Sequence, residues 1–167
     1  MITVNITIKP HLAEYIKSKY GSDKRYVLFP KKLYIYHILL DLIDKRPKDK
    51  PVDSGNIQIV LPKTRKGKDP RTYNYLNKNS IAIIERKIED MFWAEVHELL
   101  DLNKHRHGID YIDSAYIFVK KYFVESISIE AIIKNNYRWR ELVRRKKKKR
   151  SYVFQKNVQS DIKINDF

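Results

Sequence analysis

The chain contains no cysteine, only four glycines among its 167 residues, and no long uninterrupted apolar run. The missing cysteines exclude a disulfide scaffold and thiolate metal sites. No apolar run approaches the roughly 20 residues that a membrane-spanning helix needs. The chain opens with alternating polar and apolar residues instead of a basic segment and an apolar core, so we expect no secretory signal and a cytoplasmic location.

Basic charge, by contrast, is abundant. Thirty-five Lys and Arg against twenty Asp and Glu give a net charge of +15 and an isoelectric point of about 9.8. Such a field attracts polyanions: DNA, RNA or an anionic membrane surface. The excess is concentrated, because residues 134–150 hold ten basic residues and a single acid, Glu141. We therefore expect the polyanion site there.

Apolar spacing along the chain predicts a mixture of strands and helices. The alternation over residues 2–9 is typical of a half-buried strand, which Pro10 ends. Asn79 or Ser80 is the expected cap of a long helix. We expect its acids, Glu95 among them, on the helix exterior, either solvated or paired with neighbouring Arg86 and Lys87. Further strands are predicted at 26–29 and 57–61, and helices at 11–20, 32–44, 80–103, 115–124 and 129–145. The predicted fold class is α+β.

The same pattern predicts three parts along the chain. An α+β unit at residues 1–104 includes the long helix 80–103. A helical unit, the expected DNA-binding part, follows at residues 105–150 and contains the basic run Arg144–Arg150. Residues 151–167 form a tail. Within the first part, residues 63–79 are expected to form a basic loop rich in turn residues.

Two helices joined by a short connection, the second of them basic, are typical of a helix-turn-helix. Ser114 and Ser128 are the expected caps of the two helices. The second helix has a candidate buried stripe that includes Ile132 and Trp139, with Asn136 as its polar interruption. Its opposite side offers Lys134, Asn135, Arg138 and Arg145, and its flank adds Arg140 and Arg144. Asn and Arg can make paired hydrogen bonds to base edges.

The connection itself resembles that of a known family. Lys121-Tyr122-Phe123-Val124-Glu125-Ser126, followed by Ile129-Glu130-Ala131-Ile132, is similar to the turn of helix-turn-helix DNA-binding proteins of the phage and mobile-element type. The resemblance covers about residues 114–145. Phe123 stands where such turns place Gly, and Phe rarely holds a positive φ, so we expect a longer or differently shaped turn.

The resemblance implies a recognition helix in a major groove, and the basic run would add phosphate contacts that strengthen binding without reading sequence. A second basic cluster in the 63–79 loop is a candidate arm along a groove. The candidate nucleic-acid contacts are Lys134, Asn135, Arg138, Arg140, Arg144, Arg145, Lys146, Lys147, Lys148, Lys149 and Arg150, with Lys63, Arg65, Lys66, Lys68 and Arg71 in the second cluster.

We therefore expect a non-catalytic, intracellular DNA-binding protein that regulates transcription, replication or mobility of a phage or mobile element. Double-stranded DNA is the expected partner, with no metal, no cofactor and no membrane. A homodimer is compatible with this interpretation, because one such helix reads few base pairs.

Two alternatives remain open. An RNA-binding or virion-associated structural protein would use the basic segment without reading sequence. A metal-dependent nickase or nuclease would use His105 and His107, which flank Arg106, with a nearby tyrosine as nucleophile. In nucleases of that kind two histidines surround a hydrophobic residue on a strand, whereas the central residue here is charged.

Overall fold

The computed structural model describes residues 1–22, 25–48, 54–62 and 67–164, with side chains for all of these except residue 22 and residues 147–164. These residues form an α+β fold, which confirms the predicted class. The helices are α1 (Pro10–Tyr20), α2 (Tyr34–Leu42), α3 (Lys78–Leu102), α4 (Tyr111–Tyr122) and α5 (Ile129–Ile164). The strands are β1 (Thr3–Ile6), β2 (Gly21–Ser22), β3 (Tyr26–Val27), β4 (Asp44–Lys45), β5 (Ile57–Val60) and β6 (Tyr73–Tyr75).

The strands form two small sheets. The four-stranded sheet has the order β1-β5-β3-β2, in which β1 and β5 run antiparallel with Val4 opposite Ile59, and β3 lies parallel to β5. Val4 and Ile59 are buried while their neighbours along the strands are partly exposed, as alternation predicts. The second sheet pairs β4 with β6 antiparallel.

Helix α3 carries the core. Its residues Ile84, Ile88, Phe92, Val96 and Leu100 recur every four positions and are all fully buried. Residues at this spacing share one face of a helix, and α1, α2 and α4 all pack against α3. The helix begins after Asn77, whose side chain accepts a hydrogen bond from the Ser80 amide at 2.8 Å. The predicted cap at Asn79 or Ser80 is therefore wrong by two or three positions.

Aromatic rings from α1, α3 and α4 meet at this core. Tyr15 of α1 lies edge-on to Phe92 at 5.3 Å and to Tyr122 of α4 at 5.1 Å between ring centroids. Phe118 of α4 lies 5.4 Å from Phe92, also edge-on. Aromatic pairs in this arrangement contribute about 0.5–1.5 kcal/mol beyond their buried area. The cluster joins the three helices.

Glu95 of α3 accepts hydrogen bonds at the edge of the aromatic cluster. Its carboxylate accepts from the Tyr15 hydroxyl at 2.5 Å, and also from the Tyr122 hydroxyl and the Lys19 ammonium. The expectation that Glu95 is solvated on the helix exterior is therefore wrong. The alternation of apolar and charged residues along α3 could not reveal that the hydroxyl groups of two tyrosines from other helices lie next to the Glu95 carboxylate.

These contacts shift the titration of their members. Burial raises the pKa of the Glu95 carboxyl, but hydrogen bonds from Lys19, Tyr122 and Tyr15 outweigh burial and leave that pKa lowered. Burial and the hydrogen bond to Glu95 raise the pKa of the Tyr122 hydroxyl to about 12. The same two causes raise the pKa of the Tyr15 hydroxyl. The ionised carboxylate with neutral tyrosines is thus the stable state near neutral pH.

The chain divides into two compact units, Met1–Ser128 and a second that begins at Ile129. Helix α4 belongs to the first unit because its buried face packs on α3 and α1. The predicted boundary between residues 104 and 105 falls inside that first unit, within a π-helical turn at Asn103–His107 that ends at Gly108 in the left-handed conformation. Three or more residues of each helix in the first unit are buried.

Several element boundaries differ from the predictions. The predicted loop 63–79 contains β6, and the predicted helix 32–44 ends two residues early, at Leu42, with its last position in β4. Helix α4 begins at Tyr111, so Ser114 lies inside the helix, fully buried, and is not its cap. Helix α5 continues to Ile164, so its predicted end near Arg145 is wrong.

We predict that Glu95→Gln lowers the free energy of unfolding by about 2 kcal/mol at pH 7, because hydrogen bonds to a charged group are lost while the shape is kept. Because the pKa of Glu95 is lower in the folded chain, its stabilisation is fully present above the unfolded value of about 4.3 and disappears as pH falls through the folded value. Urea unfolding at several pH values measures this, and the gap between wild type and variant should close in acid.

Glu98→Gln is the matched control, since Glu98 is an exposed carboxylate on the same helix. It should change the unfolding free energy by less than about 0.5 kcal/mol. Equal effects of the two substitutions would contradict the role given to Glu95.

Candidate nucleic-acid interface

Helix α5 of the second unit contains most of the candidate contacts. It has 36 residues, so at 1.5 Å per residue it is about 54 Å long. Neither glycine nor proline occurs after Gly108, and Lys, Arg, Glu and Gln are good helix formers, so nothing in residues 129–164 breaks the helix. The residue types of α5 therefore allow one uninterrupted helix through the whole basic run.

The first half of α5 has a buried side and an exposed side. Ile132 and Asn136 are buried, and Ile129, Trp139 and Val143 are half-buried. At 100° per residue these five positions lie within one arc of the helix. They agree with the predicted buried stripe, including its polar interruption at Asn136.

The opposite side of α5 presents cations to solvent. Lys134, Arg138 and Arg145 are exposed, and their spacing of four and seven residues places them on one line, on the side away from Ile132 and Asn136. Arg145 donates to the Glu141 carboxylate at 2.5 Å. Since both partners are largely exposed, this ion pair contributes little to stability and can exchange for a phosphate.

Other candidate residues lie at the sides of this line. Arg144 and Lys146 are exposed. Asn135 is half-buried and lies between the exposed line and the buried arc, not on the outer side where it was predicted, and Arg140 is half-buried next to that arc. An Asn or Arg at the flank of an inserted helix can still reach a base edge or a phosphate. The exposed arc of α5 thus offers cations along its centre and mixed polar groups beside it.

The basic run Arg144–Arg150 lies within the helix. Seven consecutive residues make nearly two turns, so these positions are distributed around the whole circumference of α5. The side chains of Lys147, Lys148, Lys149 and Arg150 lie outside the described residues. In the first half of α5, Lys134 and Arg138 lie on the side away from the buried arc while Arg140 lies next to that arc, whereas at the run the basic positions surround the helix axis.

The two units differ in how their charges are balanced. From Ile129 onward the chain contains twelve Lys and Arg and four Asp and Glu, which gives a net charge of +8 in 39 residues. The first unit has twenty-three basic and sixteen acidic residues, a net charge of +7 in 128 residues. Several of the acids in the first unit accept hydrogen bonds within it, as Glu89 does from Lys9 at 2.8 Å. The density of uncompensated charge is highest in the second unit.

The turn before α5 is held by a carboxylate that the sequence did not identify. Glu14 of α1 accepts hydrogen bonds from the Glu125 amide at 2.8 Å and the Ser126 amide at 3.0 Å, and from the Ser126 hydroxyl. Burial raises the pKa of the Glu14 carboxyl, but the bonds from Ser126 and Glu125 outweigh burial and leave that pKa lowered. Glu14 is 111 positions from Glu125 in the chain, so local spacing gives no sign of this contact.

Phe123 begins the turn in the left-handed conformation, with φ 50° and ψ 46°. It therefore occupies the conformation for which helix-turn-helix turns use Gly, and the expectation that a Phe avoids it is wrong. The connection between α4 and α5 comprises six residues, 123–128. Phe123 is 76 % exposed, so packing of its ring does not compensate for the strain.

The second basic cluster is described only in part. Lys63, Arg65 and Lys66 lie outside the described residues. Lys68 donates to the carbonyl oxygens of Asp41 and Ile43 at 2.7 and 2.6 Å, at the end of α2, and lies 6.0 Å from the Tyr73 ring centroid. Arg71 is exposed. The Lys68 ammonium is thus bound to backbone carbonyl groups of the same chain, an arrangement that the prediction of a loop does not suggest.

The two histidines of the nuclease alternative lie in the first unit. His105 and His107 are exposed in the π-helical turn, not on a strand. Within the described residues, no group of three or more His, Asp or Glu side chains is arranged to hold a metal ion. An open pocket near β1 and β6 is lined by Asn5, Ser54 and Lys78 among other residues.

Comparisons with protein families, curated proteins and solved structures give no match for this chain. Among the described helices, none has the length and apolar character needed to cross a bilayer.

We predict that Phe123→Gly raises the free energy of unfolding by about 1 kcal/mol. Glycine removes the strain of a side chain at φ 50°, which costs about 1–3 kcal/mol, and partly offsets this by its greater freedom in the unfolded chain. Thermal or urea unfolding at low protein concentration measures the difference.

Phe123→Ala controls for loss of the ring, because alanine keeps the Cβ atom and with it the strain. It should stay within about 0.5 kcal/mol of wild type. Stabilisation by alanine equal to that by glycine would show that the ring, and not the backbone conformation, is unfavourable.

Proposed function

We propose that the chain is a non-catalytic DNA-binding protein that inserts the outer side of α5 into the major groove of double-stranded DNA. The observation that carries the proposal is the exposed line of Lys134, Arg138 and Arg145, opposite the buried arc of the same helix. A major groove about 12 Å wide admits one α-helix. Such a helix needs one side to be anchored and the other to be free for the bases.

The basic run fits the same geometry. A helix in a major groove has a phosphate backbone on each side of it, so charge on several sides of α5 can contact both strands. The contacts from Arg144 to Arg150 would be electrostatic and independent of sequence. Base recognition would then be restricted to the first half of the helix, where Lys134, Asn135 and Arg138 lie.

A role in regulating transcription, replication or mobility of a phage or mobile element follows from the resemblance of residues 114–145 to helix-turn-helix proteins, and it remains part of the proposal. The left-handed conformation at Phe123 supports that resemblance, because it reproduces the backbone for which such turns use Gly. The cytoplasm or nucleoid is the corresponding location.

We predict that affinity for duplex DNA falls steeply with salt and that Lys146→Ala flattens this dependence. Loss of one phosphate contact should lower the slope of log K against log salt by about 1, equally for all sequences. Fluorescence anisotropy with a labelled duplex of about 25 base pairs, at salt concentrations from about 50 to 300 mM, measures the slope.

Arg86→Ala is the control of equal charge, because Arg86 is an exposed arginine on α3 of the first unit. It should leave affinity and slope near those of the wild type. If Arg86→Ala and Lys146→Ala weaken binding alike, binding follows total charge and α5 is not the interface.

We further predict that Arg138→Ala reduces discrimination between sequences. A duplex enriched from a random pool by the wild-type chain should bind more tightly than its scrambled version, and Arg138→Ala should reduce that preference by about 1–3 kcal/mol. Lys146→Ala should weaken both duplexes equally. Absence of any enriched sequence, or stronger binding to double-stranded RNA, would instead favour a structural protein that uses the basic segment without base recognition.

A further inference from the structure

The outer side of α4 bears an apolar stripe that the core does not use. Ile112 is 57 % exposed and Tyr116 is 53 % exposed, and Val119 continues the stripe one turn later as a half-buried residue. Phe123 follows four positions further on, at the end of the helix, with 76 % of its surface exposed. Isolated exposed apolar residues are ordinary, but a contiguous row along one helix marks an interaction surface.

The stripe has the same spacing in both directions. Its members are separated by four, three and four residues, so reversing the helix maps the set onto itself. A two-fold axis that pairs two α4 helices antiparallel would place Ile112 against Phe123 of the other copy, and Tyr116 against Val119. Interfaces with two-fold symmetry require a surface that complements itself in this way.

The charged residues beside the stripe have the same self-complementarity. Asp113 and Lys120 are exposed and seven residues apart, so both lie on the same flank of α4. An axis through the middle of the stripe brings Asp113 of one copy within about one turn of Lys120 of the other. Two opposite-charge pairs per dimer result, related by symmetry, with no like charges opposed along this flank.

We propose that this face of α4 binds a second copy of the same chain, and that the protein is a homodimer paired antiparallel through α4. The helix is about 18 Å long, so the interface is small and the dimer should dissociate in the micromolar range. Dimerisation through α4 does not depend on DNA binding, and it can be measured with no nucleic acid present.

Cysteine cross-linking of the full chain tests the geometry, because the wild-type chain contains no cysteine. Tyr116→Cys places a thiol near the two-fold axis and should form an intermolecular disulfide within minutes of mild oxidation at about 50 μM. Tyr34→Cys, at a position on α2 that is 72 % exposed, should cross-link at least tenfold more slowly. Equal rates for the two variants would overturn the proposal.

Charge exchange tests the pairing independently. Sedimentation equilibrium should give the mass of two chains for the wild type at about 100 μM. Asp113→Lys and Lys120→Asp should each weaken the dimer by about tenfold, and the double variant should return to within about threefold of wild type. Circular dichroism confirms that each variant is folded. A wild-type mass of one chain at this concentration, or a double variant as weak as the single ones, would mean that something other than a second copy covers α4.

Discussion

The first unit depends on one constraint, the row of fully buried side chains that recurs every four residues along α3. Because these residues lie on one face, every element that covers them must lie along the same side of the helix. Helices α1, α2 and α4 do so, and the aromatic cluster around Phe92 joins two of them to α3. Polar groups at the edge of this core, Glu95 above all, then have fixed partners instead of solvent.

The acidic residues of the chain act mainly inside the first unit. Glu95 accepts from two tyrosines and a lysine, Glu14 holds the turn at Ser126, and Glu89 pairs with Lys9. An acid used in this way neutralises charge locally and stabilises the fold. In α5 the described acids are few, and Glu141 pairs with Arg145 at the surface. The net formal charge per residue is therefore higher in the second unit than in the first, although the first unit contains more cations.

The predictable features follow from spacing along the chain. The α+β class, the long helix and the buried arc of α5 were all indicated by apolar periodicity. Contacts distant in sequence were not, which is why Glu14, Glu95 and the pairing of β4 with β6 were missed. The continuation of α5 beyond Arg145 had a signal in the absence of glycine and proline after Gly108, but the apolar spacing used to predict helices does not extend through Arg144–Arg150.

In the proposed DNA complex, the length of α5 separates two kinds of interaction that the sequence alone combines in one basic segment. Up to Val143 the helix has a buried arc, so its outward side chains have defined directions and can meet particular base edges. Beyond that point, consecutive cations surround the axis, and no single direction is distinguished. Affinity would then come mainly from the basic run Arg144–Arg150, and selectivity from the segment before it. Because salt screens the first contribution much more than the second, the two can be measured separately on the same molecule.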